Sequence, residues 1–285
     1  MSLSILTNVS AMNTQQNLLH SSNAVAQSMQ RLSSGLRINT AADDAAGYAI
    51  SEGLTAQTNG LDQASRNTND AISMVQTASS SINDVQNMLQ RVRELSVQYN
   101  NGSNSTDDKT AIQGEVDQLT NEISRETAAS NFNGINLLDG SAGGGGTVTF
   151  QVGANSADTL TASFASLTGS TGLAVTGFTW ANAGVSGSHV FDLSNTGALD
   201  NLDTAISNVS SMAATLGAVQ NRLQYTSDSI STTGQNLSAS NSQIRDVNMA
   251  QEMTNLTQQQ ILEQAGTAML AQAQQQPQMI LKLLG

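Results

Sequence analysis

Cysteine is absent from the chain, aromatic residues make up 3% of it, and charged residues 11% against a usual share of about 25%. Without cysteine there are no disulfides, no thiol chemistry and no Cys-ligated zinc. Ten Lys and Arg stand against 22 Asp and Glu, for a net charge of −12. Neutralising phosphates takes clustered basic residues, so this balance excludes a nucleic-acid binder. The opening Met1-Ser2-Leu3-Ser4-Ile5-Leu6 has no basic leader and no apolar run of signal-peptide length. Nothing approaches the roughly 18 apolar residues of a membrane span. Neither the general secretory route nor membrane insertion is expected, so export would need another machine. The 285 residues suffice for one large domain or two ordinary ones. With 38% hydrophobic residues a core is available, but an aliphatic, Ala-rich one.

Catalytic groupings are equally scarce. His20 and His189 are the only histidines and lie far apart in the chain. A metal site or an assisted nucleophile needs a supporting shell around such a residue. There is no Gly-x-Ser-x-Gly elbow and no Gly-Lys-Ser/Thr phosphate cradle. The pair Asp43-Asp44 reads as the start of a helix rather than as an acid–base pair. No enzyme activity, metal or cofactor is expected.

What the chain does have is long-range periodicity. Positions 61, 64, 68, 71, 75, 78, 82, 85, 89, 92, 96 and 99 alternate by three and four, and include Leu61, Val75, Ile82, Val85, Leu89 and Val92. Thr68 and Ser96 are the chemical breaks in this row. Leu202, Val209, Leu216, Leu223, Ile230, Leu237 and Ile244 sit seven apart. Such heptads predict long helices packed lengthwise in a bundle or coiled coil. A further helix is expected over 107–128, with Ile112, Val116, Leu119 and Ile123 on one face and Thr106-Asp107-Asp108 capping it.

The chain ends carry apolar stripes set in Gln and Asn. Ile5, Val9, Met12, Leu19, Met29 and Leu32 form one; Leu262, Met269, Ile280 and Leu284 belong to the other. Such weakly apolar helices bury little surface alone, so they are expected to pair with each other and to order fully on docking.

The middle is different in kind. Every Phe and the one Trp fall within 132–191, and basic residues vanish between Arg125 and Arg222. Thr147–Val152 alternates, placing Val148, Phe150 and Val152 on one face, and Leu160–Phe164 does likewise. Val190–Leu193 reads as a weaker strand and Gly143–Gly146 as a flexible hinge. The predicted fold is mainly α: a long antiparallel helical bundle from both chain ends, with a small β-hairpin region between.

One cluster stands out among so few charges: Gln90-Arg91-Val92-Arg93-Glu94-Leu95. It reads either as a solvated face with local ion pairs or as an interaction surface using Arg geometry.

Several stretches together resemble bacterial flagellin. Leu32-Ser33-Ser34-Gly35-Leu36-Arg37-Ile38-Asn39 with Ala41-Ala42-Asp43-Asp44-Ala45-Ala46-Gly47 is similar to the family's N-terminal signature. Asn131–Gly140 and Phe150–Asn155 resemble its helix-to-hairpin segment. Ile244–Ala250 and Gln264–Ala273 are similar to its C-terminal signature. The resemblance covers about 1–155 and 199–285. It implies a subunit of the flagellar filament, extracellular and exported by the flagellar type III machine.

It also implies a layered organisation. Segments 1–43 and 242–285 would pair as an inner core, 44–140 and 199–241 would form an outer core, and 141–198 would be a small outward region. Implied partners are other copies of the chain, the flagellar cap and hook-junction proteins, an export chaperone at the C-terminal helix, and a host Toll-like receptor. The receptor surface carries over to Arg91, Leu95 and Glu115, flanked by Gln90 and Arg93. A hook–filament junction protein, which shares related termini, is the alternative.

Overall fold

The computed structural model describes residues 8–167, 191–195 and 197–284, with side chains as far as residue 275. Ile5, His189 and Val190 lie outside the described residues, as do the side chains of Ile280 and Leu284. Among the described residues there are five helices: α1 (Val9–Ser34), α2 (Ala45–Tyr99), α3 (Thr106–Ala129), α4 (Ala198–Arg245) and α5 (Met249–Leu284). Between α3 and α4 lie two antiparallel hairpins, β1 (Asn131–Phe132) with β2 (Ile135–Asn136), and β3 (Thr147–Gln151) with β4 (Thr159–Ser163). The chain divides into two compact units, Met1–Gln57 with Gln235–Gly285, and Thr58–Gly234.

The central unit packs α2, α3 and α4 lengthwise. Gln86 reaches Ser210 and Arg93 reaches Asp203, so α4 runs antiparallel to α2. Ser81 reaches Glu126 and Arg91 reaches Glu115, so α3 does the same. The predicted heptad rows supply the core: Val75, Ile82, Val85, Leu89, Val92, Leu202, Val209, Leu216, Leu223 and Ile230 are all buried, as are Ile112, Val116 and Ile123. Leu61 and Leu237 are corrections, since both are only half-buried. Thr68, a polar break in the row, is buried without penalty because its hydroxyl donates to the Ala64 carbonyl at 2.8 Å. The cap of α3 is also shifted: Ser105 is the capping residue and Asp108 returns a bond to it, closing a capping box.

The hairpin β3–β4 pairs Phe150 with Leu160 and Val148 with Ala162. Leu160, Ala162 and Phe164 are fully buried, as their alternation predicts. The smaller hairpin turns on Asn133-Gly134, both with positive φ, the backbone a two-residue type I′ turn requires. The glycine run is not a hinge. Ala142–Gly144 form a 3₁₀ turn, and the Gly146 carbonyl accepts from the Phe164 amide at 2.7 Å. A Cβ on Gly146, at φ +77°, would sit 2.9 Å from the Phe164 carbonyl, so only glycine fits this approach.

The predicted strand at 190–193 is likewise corrected. Phe191 and Leu193 are buried, and no strand is assigned over 191–193 among the described residues. A side chain meets this backbone. The buried Gln113 amide donates to the Phe191 carbonyl at 2.6 Å and accepts from the Leu193 amide at 3.0 Å. One primary amide carries both a donor and an acceptor, so it satisfies the backbone as a strand residue would.

In the terminal unit, the chain leaves α1 through Gly35 in the left-handed conformation and enters α2 through Asp44, whose carboxylate accepts from the Gly47 amide at 3.0 Å. The connection after α1 pairs with the connection before α5. Leu36 bridges Asp246, Val247 donates to the Gly35 carbonyl, and the Arg37 guanidinium donates to the Ile244 carbonyl at 2.7 Å. Arg245 is held by Glu52 at 2.9 Å and lies over the Tyr48 ring.

Replacing Gln113 with Ala removes the amide clamp from a buried site. Equilibrium urea unfolding is expected to show a loss of about 1–3 kcal/mol. An unchanged midpoint would mean that the 191–193 segment is held by its side chains alone.

Candidate assembly and recognition surfaces

The two terminal helices pack along one another in opposite directions. Asn8 donates to the Ala273 carbonyl at 2.8 Å at one end, and Arg31 faces Glu252 at 4.0 Å at the other. The α1 positions turned inward are 11, 14, 18, 21, 25, 28 and 32, a strict 3-4 alternation. They read Ala11, Thr14, Leu18, Ser21, Val25, Ser28 and Leu32. On α5 the matching row includes Glu252, Leu256, Gln259, Glu263, Gly266, Leu270 and Ala273. This seam is mostly small or polar. At its middle Gly266 lets the helices close in, since a Cβ there would lie 3.3 Å from Leu18 Cδ1.

The expected assembly stripe lies largely outside this seam. Of its described side chains Leu32 is half-buried in the pair. Val9, Met12, Leu19, Met29, Leu262 and Met269 are all exposed, from 47 to 64%. Each of the four on α1 sits one or two residues off the inward row, which rotates it to the outer face. Ile50, Met249, Met253 and Ile261 are exposed in the same unit. Sequence reasoning missed these four, although the Met249 and Met253 spacing of one helical turn was a readable signal.

The charged cluster lies on the central unit. Arg91 donates through Nε and Nη2 to Glu115 at 3.1 and 2.9 Å, and through Nη1 to Glu94 at 3.1 Å. Arg93 grips Asp203 at 2.6 Å through Nε and at 3.5 Å through Nη2. Gln90, Arg91, Arg93 and Glu115 are exposed, with Arg91 turned toward α3 and Arg93 toward α4 on either flank of α2. Leu95 does not join them. It is 2% exposed and packs in the core, because position 95 lies three residues after Val92, beside the row that continues to Ser96.

Exposed ion pairs of this kind contribute little to stability, since water screens them. They nevertheless set protonation. The hydrogen bond from Arg93 holds the Asp203 carboxyl below the ordinary carboxylate range, and the bond to Glu115 raises the Arg91 guanidinium. The Thr40 amide lowers Asp43 in the same way, and the Ser105 hydroxyl lowers Asp108.

An open groove of about 620 Å³ is lined by Tyr99, Lys109, Leu193 and Asp200 among others, with the Lys109 ammonium over the Tyr99 ring at 5.3 Å. Among the described residues no group of three His, Asp or Glu is placed to hold a metal ion, and no helix is long and apolar enough to cross a membrane.

An aliphatic bundle, with a terminal helix pair that leaves many large apolar residues exposed, defines a helical structural protein. Comparison with known proteins agrees. The model of the bacterial flagellin N-terminal helical region matches residues 5–143, and that of the C-terminal helical region matches 199–284. The flagellin of Halalkalibacterium halodurans is 43% identical over 97% of this chain and 98% of its own length. That of Bacillus subtilis is 42% identical with the same coverage, as is the flagellar filament 33 kDa core protein of Treponema phagedenis. The crystal structure of Bacillus cereus flagellin, 30% identical, aligns over 62% of this chain and 94% of its own, with a TM-score of 0.47. A putative flagellar hook-associated protein from Vibrio parahaemolyticus shares the fold at 13% identity and a TM-score of 0.55, over 72% of this chain and all of its own.

The chain belongs to the bacterial flagellin family and is a structural subunit of the flagellar filament. Flagellins are structural proteins, and they self-assemble into the extracellular filament.

The sign of the Asp203 effect can be checked directly. Its folded-state pKa is depressed, so the stability it contributes is complete above the unfolded value and is lost as pH falls through the folded one. The Tm difference between wild type and Asp203→Asn is expected at neutral pH and should begin to shrink as pH falls below about 4, disappearing once the folded-state carboxyl is protonated. A difference that grows on acidification would contradict the assignment.

Proposed function

We propose that polymerisation is driven by the outer face of the terminal helix pair, which packs against the same unit of neighbouring subunits. The carrying observation is the exposure on α1 and α5 of Val9, Met12, Leu19, Met29, Leu262 and Met269, while a mixed seam of small, polar and a few aliphatic residues closes the pair. Burying that outer face contributes about 25 cal/mol per Å² of apolar area, summed over many neighbours. In this reading segments 1–43 and 242–285 form the inner core of the filament, 44–140 and 199–241 its outer core, and 141–198 an outward acidic region.

Export follows the flagellar type III route, with a chaperone on the C-terminal helix covering the apolar face before assembly. The cap and hook-junction proteins meet the chain at the two ends of the filament. The exposed surface around Arg91 and Glu115, flanked by Gln90 and Arg93, is the docking face for the flagellin-sensing Toll-like receptor when the subunit is free. Leu95 supports that face from beneath.

Seeded polymerisation of the purified chain, viewed by negative-stain electron microscopy, tests the main reading. Long tubes growing from one end of added filament fragments are expected. Monomer that capped the seeds without elongating them would point to a hook–filament junction protein. A chain lacking 246–285 is expected to keep helical circular dichroism from α2, α3 and α4 yet to form no filaments; filaments from it would defeat the model. For the receptor face, Arg91→Ala is expected to weaken stimulation of receptor-bearing cells by monomer, with unaltered thermal stability. An unchanged dose response would return Arg91 to a purely solvated role.

A further inference from the structure

Methionine is unevenly placed in this molecule. The chain has ten Met and no Cys. In the central unit Met74 and Met212 are buried, at 3% and 9% exposure, and Met88 is partly buried against the same core. Met12, Met29, Met249, Met253 and Met269 are the opposite, 49–64% exposed, and all five belong to the terminal unit. They make up half of the ten exposed large hydrophobic residues described there. Leucine would serve a plain apolar contact as well as methionine. The thioether adds polarisability, and it adds one chemical reaction that an aliphatic side chain lacks.

We propose that these five methionines are oxidation sites that control addition of the subunit to the filament. The oxidant is a peroxide or a hypohalous acid. A lone pair on the thioether sulfur attacks the terminal oxygen, and the S–O bond forms as the O–O or O–halogen bond breaks. The sulfur is oxidised by two electrons to the sulfoxide. The oxidant is reduced by two electrons: hydrogen peroxide loses hydroxide, which takes the S–O–H proton and leaves as water, and hypohalous acid loses halide while that proton passes to solvent, so sulfoxide is the product in both cases. No thiol of this chain competes for the oxidant.

The consequence rests on the reading that this face meets neighbouring subunits. A sulfoxide is a strong hydrogen-bond acceptor, and placed in an apolar contact it has no donor to meet. Oxidised monomer therefore fails to add. Methionine sulfoxide reductases restore the thioether, so the block is reversible. Within a filament the same sulfurs are covered, so the chemistry acts on free monomer and spares assembled subunits.

The test treats full-length monomer and preformed filaments with hydrogen peroxide and maps sulfoxide by peptide mass spectrometry. In monomer the five exposed methionines are expected to react before Met74 and Met212. In filaments they should react at least about tenfold more slowly. Oxidised monomer should elongate seeds at least about tenfold more slowly, and a mixture of methionine sulfoxide reductases of both stereospecificities should restore the rate. A variant with Leu at all five positions should elongate equally before and after peroxide.

Oxidised wild-type monomer elongating at the untreated rate overturns the proposal. So does a five-Leu variant that peroxide inhibits as strongly as wild type. If five leucines together prevent elongation, Met249→Leu with Met253→Leu is the second variant; it should retain more elongation after peroxide than wild type, and equal inhibition overturns the proposal. The underlying contact reading is tested separately with Met12→Gln and Met269→Gln in untreated protein. Normal elongation by that pair, with no protection in filaments, removes the contact itself rather than its oxidation.

Discussion

The close, mixed seam between α1 and α5 is the constraint on which the behaviour of the terminal unit depends. A helix has a limited circumference, and residues at 3-4 spacing on one face leave the rest to the other. Because the inward face takes Leu18, Val25, Leu32, Leu256 and Leu270 together with Thr14, Ser21, Ser28, Gln259 and Gly266, the apolar residues at 9, 12, 19, 29, 262 and 269 are turned out. Had the pair closed on Met12, Leu19 and Met269 instead, the unit would have satisfied itself and had no apolar face to offer. The seam is held by spaced polar contacts, Asn8 to the Ala273 carbonyl and Arg31 opposite the buried Glu252, which fix direction and register without adding much apolar burial.

The central unit follows the opposite rule. Its heptad rows are aliphatic and its core is closed, so it gains stability within one chain. The antiparallel packing brings Arg91 to Glu115 of α3 and Arg93 to Asp203 of α4. The two units thus differ in where their apolar residues lie: buried in the central one, largely exposed in the terminal one. That division matches a protein whose family assembles outside the cell into a polymer of identical subunits.

Much of the central unit was legible in the amino-acid order, because burial there follows periodicity. Val75, Ile82, Leu89, Leu202, Leu216 and their neighbours are buried where a repeat of seven places them. The hairpin β3–β4 was legible for a similar reason, since alternation maps directly to the two faces of a ribbon. The errors came where a tertiary partner replaced a local rule. The 191–193 segment has strand composition, but the Gln113 side chain meets its backbone. The Gly143–Gly146 run has linker composition, yet the Phe164 backbone folds against it and turns its glycines into a packed turn. Leu95 reads as part of an exposed charged motif, although its place three residues after Val92 carries it inward.

The sequence by itself determined the helical class, the antiparallel heptad core, the hairpin and the family, since each depends on a repeat or motif carried within one segment. It also determined that the chain ends hold apolar stripes. Only the tertiary structure decided which way those stripes point. On an isolated helix the row at 11, 14, 18, 21, 25, 28 and 32 and the row through 9, 12, 19 and 29 are both amphipathic candidates, and hydrophobicity favours the second. The pairing chose the first, because small residues allow close approach of two backbones along their length, and that gain requires both helices to be present at once.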